Sequence, residues 1–235
     1  MLSIVVPAYN ESGRLPGSLR RMREHFDAAG EEYEVIVVDD GSADDTYAAT
    51  AALADTWPQL RVLQFERNRG KGAAVREGML DARGELRLFS DADLSTPLDE
   101  LDSLRARLQG DTKVAIASRA LEDSHIEVHQ QRRREMMGRT YNRLLQLLVL
   151  PGIHDSQCGF KLFTAEAAVA CFEPLRTMRF GFDAEVLVRA QAHGWRIAEV
   201  PVRWRHVEAS RVNSLRDSSR MLYDLLRLRL RRGTD

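Results

Sequence analysis

The stretch 88-LFSDADLSTP-97 ends an apolar run with two carboxylates one residue apart, Asp91 and Asp93. Carboxylates that close repel each other unless a cation lies between them. Two hard oxygen ligands, completed by phosphate oxygens of a substrate, suit Mg²⁺ or Mn²⁺ rather than Zn²⁺. The competing reading is an aspartate that caps a helix predicted to begin near Pro97, with the other carboxylate solvated. A second acidic pair, Asp39 and Asp40 in 36-IVVDDGSADDT-46, also closes an apolar run. A carboxylate there can accept the N–H of a nucleobase or the hydroxyls of a ribose, or it can form only a turn and an N-cap. In 68-NRGKG-72, Lys71 and its flanking glycines at a predicted helix start can hold a phosphate through backbone N–H groups and the ammonium charge. The segment is not a Walker A loop, and a G-x-G-x-x-G dinucleotide fingerprint is absent from the chain.

These groups need elements that bring them together. Short continuous apolar runs at 3–8, 33–40, 60–65, 86–90 and 114–119 alternate with helical patterns, the first of which places Leu15, Leu19, Met22 and Phe26 on one face. Runs of this kind predict an α/β fold, with mostly parallel strands covered on both faces by helices. In such sheets ligands sit beyond the carboxyl ends of the strands. The rule gathers 7-PAYNE-11, 39-DDGS-42, 68-NRGKG-72 and 91-DAD-93 onto one rim. Further along, the pattern predicts a helix over 132–150 that 151-PG-152 stops, a polar loop opening 154-HDSQCGFKLF-163, two more helices, and a strand near 197–204. The chain closes on an arginine-rich helix with Leu215, Leu222, Leu225 and Leu226 as an apolar stripe.

Bulk properties set outer bounds. With 235 residues, 44% hydrophobic and 29% charged, the chain reads as soluble and globular, long enough for one large domain with an appendage. A net charge of −1 gives nothing global to attract nucleic acid, so the basic segments 132-RRR-134 and 203–232 call for local explanations. Cys158 and Cys171 lack metal-ligand spacing, and the N-terminus lacks the basic region of a signal peptide; both point to a reducing cytoplasm. The longest apolar run, 144–153, is shorter than the roughly 18 to 20 residues that span a bilayer, so any membrane contact is expected from the surface. His125, Glu127 and His129 lack the HExxH order of a zinc site, and a mobile surface loop is expected there.

Taken in order, 4-IVVPAYNE-11, 36-IVVDDGSADDT-46, 68-NRGKGAAVREGM-79, 91-DADLSTP-97 and 155-DSQCGFKLF-163 resemble glycosyltransferase family 2. Within it they resemble the polyprenyl- or dolichyl-phosphate glucosyltransferase branch, a relative of the dolichol-phosphate mannose synthases. The likeness covers about residues 2–211, and 94-LSTP-97 looks more like the glucosyl than the mannosyl branch.

The segregated leucines and arginines over 211–235 predict a basic amphipathic helix that lies against anionic lipid, or else packs on the catalytic domain or a second subunit. The resemblance implies a GT-A (Rossmann-like) catalytic domain over 1–210. It implies inverting transfer of a hexose, glucose from UDP-glucose, to a polyprenyl phosphate at the cytoplasmic membrane face. Alternatives are a GDP-mannose donor, a soluble acceptor, or a nucleotide-sugar-binding protein without turnover. On the donor side it assigns Pro7, Tyr9 and Glu11 to the nucleotide, Asp39 and especially Asp40 to the base, Ala92 to the ribose, and Lys71 to the diphosphate. Asp91 and Asp93 become ligands of a Mg²⁺ or Mn²⁺ ion. On the acceptor side it assigns Arg119, Arg133 or Arg134, and Arg211 to the phosphate, whose oxygens a guanidinium fork binds in pairs. The turn 208-EASRVN-213 departs from the family in carrying Ala209 and Arg211 where Gly and Lys are usual. Asp183 falls where relatives with hydroxyl acceptors hold a catalytic base, and otherwise reads as a helix N-cap; an already anionic phosphate acceptor needs no base. Asp155 either orients the acceptor loop or caps a turn.

Overall fold

Leu2, Ile4, Val5 and Val6 have no exposed surface, as a strand covered on both faces requires. They form β1 (Leu2–Ala8), which pairs in parallel with β2 (Tyr33–Asp39) and β4 (Leu86–Ser90). β3 (Leu60–Gln64) extends the sheet beyond β2, and α1 (Leu15–Ala29), α2 (Thr46–Ala54) and α3 (Lys71–Asp81) supply the crossovers. The computed structural model of the chain describes residues 1–130, 132–207 and 214–231, without the side chains of 133, 134, 214–219 and 231.

Alternation along β1 divides the core into two layers. Ile4 and Val6 pack with Leu15, Leu19, Met22 and Phe26 of α1, whereas Val5 packs with Ala73, Ala74 and Met79 of α3. The second layer is tight: a Cβ at Gly78 would collide with the Val5 side chain, so α3 lies closer to the sheet than any larger residue permits.

The remaining half completes a mixed sheet in the order β3-β2-β1-β4-β7-β5-β8. β5 (Thr112–Ser118) and β8 (Arg196–Pro201) are parallel neighbours, while β7 (Phe160–Thr164) runs antiparallel between β4 and β5. This is the mostly parallel α/β sheet that the sequence predicts, with helices on both faces. The other helices are α4 (Glu100–Arg105), α5 (Arg132–Leu148), α6 (Ala165–Phe172), α7 (Phe182–Ala192) and α8 (Ser214–Arg231). Among the described residues no helix is long and apolar enough to cross a membrane.

One expectation is corrected. Residues 125–128 are not a loop: β6 (His125–Val128) pairs with β9 (Arg203–Arg205) in a separate two-stranded sheet, where Trp204 is buried. Its partner lies far along the chain, so the local pattern carries no sign of it. The leucine stripe of the last helix divides between the core and the surface. Leu225 joins the core shared with α3 and α7, but Leu222 and Leu226 are 41% and 50% exposed.

Candidate active site

The carboxyl ends of β1, β2 and β4 carry three of the predicted clusters, and hydrogen bonds stitch them together. The backbone N–H of Asn10 donates to Ser42 Oγ at 2.8 Å, that of Ala43 to Asn10 Oδ1 at 2.8 Å, and that of Glu11 to Thr46 Oγ1 at 2.7 Å. Asn10 holds φ 55°, a left-handed turn that an asparagine tolerates. Pro7 lies in β1 opposite Val38, Tyr9 is 39% exposed, and the Glu11 carboxylate grips the Arg14 guanidinium through both oxygens.

Asp39 and Asp40 are buried, and each organises a loop. Asp39 accepts the Ser42 N–H and hydroxyl on Oδ1 and the Gln64 amide on Oδ2. Asp40 accepts the N–H groups of Arg69 at 2.6 Å and Gly70 at 2.9 Å, together with the Asn68 amide at 2.9 Å. Burial pushes the Asp40 carboxyl above its usual range, while the Arg69 and Gly70 amides pull it down. The sequence reading gave the amides of 68-NRGKG-72 to a phosphate; those of Arg69 and Gly70 instead face Asp40, and the Lys71 side chain is what the loop offers.

Lys71 opens α3, where the helix dipole disfavours a cation, so its position needs a compensating anion. Asp91 is that anion: Lys71 Nζ lies 2.6 Å from its Oδ1. Burial works against the ammonium, yet Asp91 and Asp183 outweigh it and hold its pKa above the ordinary value. The Asp91 N–H donates to Gly159 O at 2.9 Å as the chain leaves β4, and Leu94 at φ 51° takes it out of strand geometry. Asp93 Oδ1 accepts the Ser95 N–H at 3.0 Å, and Arg14 Nη1 stands 4.0 Å from Asp93 Oδ2. Ala92 between the two aspartates is buried. Lys71 and Arg14 feel the charge of both carboxylates, which places the pair in one field.

The donor chemistry fits a hard divalent cation. Lys71 takes Oδ1 of Asp91 and Ser95 takes Oδ1 of Asp93. Among the described residues Oδ2 of Asp91 accepts no hydrogen bond, and Oδ2 of Asp93 faces only Arg14. No group of three or more His, Cys, Asp or Glu able to hold a metal occurs among those residues. Two carboxylates, with substrate phosphates filling the remaining positions, match the habit of Mg²⁺ and exclude a closed zinc site.

Beneath this pair lies a second one that the motifs did not single out. Lys161 of β7, 1% exposed, donates to Asp183 Oδ1 at 2.5 Å and to Cys158 O at 2.6 Å. The Phe89 ring sits under both ammonium groups, 5.3 Å from Lys71 Nζ and 5.4 Å from Lys161 Nζ. The N-cap of α7 is Gly181, so the capping reading of Asp183 falls; the residue lies in the first turn, buried. Burial pushes its carboxyl up against the pull of Lys161 and Lys71. The one signal in the sequence was a lysine inside the apolar strand 160-FKLFT-164.

On the opposite flank, Arg119 follows β5 and is held in a fork by Asp155, at 2.6 Å from Nε and 2.9 Å from Nη2, with its own N–H donating at 3.0 Å. Its guanidinium also lies 5.3 Å from the Trp204 ring centroid. Burial opposes ionisation of Asp155, but Arg119 wins and lowers the carboxyl to about 2. Asp155 therefore positions Arg119. Arg133 and Arg134 fall in the first turn of α5, with side chains outside the described residues, and Arg211 lies outside the described residues altogether.

A mixed, mostly parallel sheet whose carboxyl rim presents a D-x-D pair beside a helix-start lysine defines a GT-A glycosyltransferase. The chain belongs to glycosyltransferase family 2, whose model matches residues 3–172. It is 36% identical over 243 residues to the human dolichyl-phosphate beta-glucosyltransferase, covering 98% of this chain and 75% of that protein. It is 32% identical over 250 residues to the Saccharomyces cerevisiae protein of the same name, covering 97% and 72%. In structure it resembles glucosyl-3-phosphoglycerate synthase from Mycobacterium tuberculosis in complex with Mn²⁺, UDP and phosphoglyceric acid. That match has a TM-score of 0.72 at 19% identity and covers 97% of this chain and 78% of that one. Mannosyl-3-phosphoglycerate synthase from Rubrobacter xylanophilus matches with a TM-score of 0.67 at 20% identity, covering 99% and 73%. These structures establish the fold.

Proposed function

We propose that this glycosyltransferase moves glucose from UDP-glucose onto a polyprenyl phosphate of the dolichyl type, with inversion at the anomeric carbon. The observation that carries this reading is the near-complete coverage of the chain by relatives named dolichyl-phosphate beta-glucosyltransferase, at 32% to 38% identity. The same reading assigns a role to each cluster of the rim. Pro7, Tyr9 and Glu11 line the nucleotide, Ala92 meets the ribose, and Asp39 and Asp40 fix the loops that enclose the base. Lys71 adds positive charge where the diphosphate departs. Asp91 and Asp93 hold a Mg²⁺ or Mn²⁺ ion, which when bound supplies Lewis-acid neutralisation of the leaving group.

A phosphate acceptor fits the state of Asp183. A phosphate monoester is anionic near neutral pH and attacks without a base, and Asp183, clamped by Lys161, serves as a counter-ion. Arg119, with Arg133 or Arg134 and Arg211, receives the acceptor phosphate. A lipid acceptor places the enzyme peripherally at the cytoplasmic face of a membrane.

The test is a transfer assay that crosses UDP-glucose and GDP-mannose with polyprenyl phosphate and 3-phosphoglycerate, with and without Mn²⁺. Glucosyl polyprenyl phosphate is the expected product. Asp93→Ala is expected to reduce kcat/KM by on the order of 10³-fold, the several kcal/mol that a Lewis acid contributes. Preferential use of GDP-mannose or of the soluble acceptor would overturn the substrate assignment, and full activity in Asp91→Ala and Asp93→Ala would overturn the metal's role.

A further inference from the structure

A basic cavity lies beside the rim, apart from the D-x-D pair. Arg69, Arg176, Arg179, Arg220 and Arg227 line a cavity of about 580 Å³ together with a single carboxylate, Asp224. None of Asp91, Asp93, Lys71 or Asp183 lines it. Its wall is the 176–179 loop, fixed to the start of α3 by a hydrogen bond from the Ala73 N–H to Met178 O at 3.1 Å.

What marks these arginines is that five of them share one cavity without a carboxylate of the described residues in direct contact. Arg14, Arg61, Arg105, Arg119, Arg189 and Arg203 each have a carboxylate partner in direct contact. Among the described residues, no ion pair within 4.0 Å engages any of the five arginines of the cavity. Guanidinium groups stay charged at every relevant pH, so the five repel one another across the space they share. The helix α8 sharpens the point. Arg220, Asp224 and Arg227 recur at the spacing of one helix face, and that face lines the cavity, whereas Leu222, Leu226 and Leu230 are exposed. Leu225 of the same helix is buried and Leu228 lines the cavity. Through these leucines α8 seats on the body, and it holds Arg220 and Arg227 at the cavity mouth without a carboxylate of the described residues in direct contact.

We propose that this cavity is a second binding site, for a phosphate-bearing anion carrying at least two negative charges. A diphosphate or phosphomonoester group matches the planar forks of the arginines, and the volume lies within the roughly 300–1,000 Å³ of ordinary ligand pockets. The anion can come from an anionic phospholipid headgroup or from a soluble phosphorylated molecule. The inference stands apart from the choice of sugar or acceptor at the catalytic rim.

The experiment is calorimetric titration of the full chain with inorganic pyrophosphate in metal-free buffer, comparing the wild type, the double variant Arg220→Gln/Arg227→Gln, and the control Arg139→Gln/Arg229→Gln. The control removes the same charge from exposed positions that do not line the cavity. The cavity variant is expected to weaken binding by about tenfold for each arginine lost, as removal of one charge-assisted hydrogen bond implies. The control is expected to retain wild-type affinity, and all three proteins to keep the same circular dichroism. Equal affinity in the wild type and cavity variant, or an equal loss in the control, overturns the proposal. Sedimentation with phosphatidylcholine vesicles, with and without phosphatidic acid, separates the sources. For a lipid headgroup, the cavity variant alone loses phosphatidic-acid-dependent sedimentation and pyrophosphate competes with it; for a soluble ligand, sedimentation is unchanged while pyrophosphate binding is lost.

Discussion

Replacing Asp155 with Asn tests how Arg119, the proposed ligand of the acceptor phosphate, is held. Asp155 is 2% exposed, and its carboxyl lies at about 2 against an ordinary 3.8. A folded pKa below the unfolded one means that the stabilisation is fully present above about pH 4 and is lost as pH falls through about 2. The shift corresponds to about 2 kcal/mol. The substitution also leaves Arg119 without its fork, and removing one partner of a buried pair costs about 3–5 kcal/mol in total. Urea unfolding of wild type and Asp155→Asn is therefore expected to show a gap of about 3–5 kcal/mol near pH 7 that narrows by about 1 kcal/mol near pH 3. Only the ionised form of Asp155 distinguishes the two proteins, which is why the gap must close with acid. In the transfer assay the variant is expected to raise KM for the acceptor and leave that for the nucleotide sugar unchanged. A gap that is the same at both pH values, or an unaltered acceptor KM, would refute the idea that Asp155 acts by holding Arg119.

Other substitutions probe the donor side. A Cβ at Gly159 would fall on the Asp91 carboxylate, so Gly159→Ala is expected to displace Asp91 by about 1 Å and lower kcat by on the order of 10²-fold, with little change in unfolding midpoint. A variant with wild-type kcat would show that the Asp91 position is not critical. Lys161→Met is expected to destabilise the fold by about 3–5 kcal/mol because it strands Asp183, and Lys161→Met/Asp183→Leu to recover most of that loss. Strictly additive losses in denaturant titrations would dismiss the pair as a unit.

The front half of the sheet was legible because β1, β2 and β4 are buried on both faces and so appear as apolar runs, as in 33-YEVIVVD-39. The polar cluster after each run then followed from the position of ligands in such sheets. Less could be read where a strand depends on a remote partner. β7 looked like an apolar sequel to a loop, and its insertion between β4 and β5 against the prevailing direction has no local signature. β6 is four residues long, and its partner β9, with the buried Trp204, lies far along the chain. At the site, residue types at the strand ends were visible, but their partners were not. Lys71 with Asp91, Lys161 with Asp183 and Arg119 with Asp155 are each distant in sequence, so a scan for local motifs gives their charges without their pairings.

The antiparallel entry of β7 has a consequence for how such a protein can diversify. Ser90 is in register with Phe160, and the Asp91 N–H is bonded to Gly159, so the D-x-D end of β4 is fixed by the neighbouring strand and not by the length of the chain between them. Residues 120–153 form an excursion between two anchored points. Its anchor in the core is Leu145, Val149, Leu150 and Ile153, and changes elsewhere in the excursion would remodel what approaches from the Arg119 side while the carboxylates stay in place. Under the proposed function the donor half would be a fixed socket and the excursion an adaptor, so a related chain could change its acceptor without rebuilding the D-x-D end.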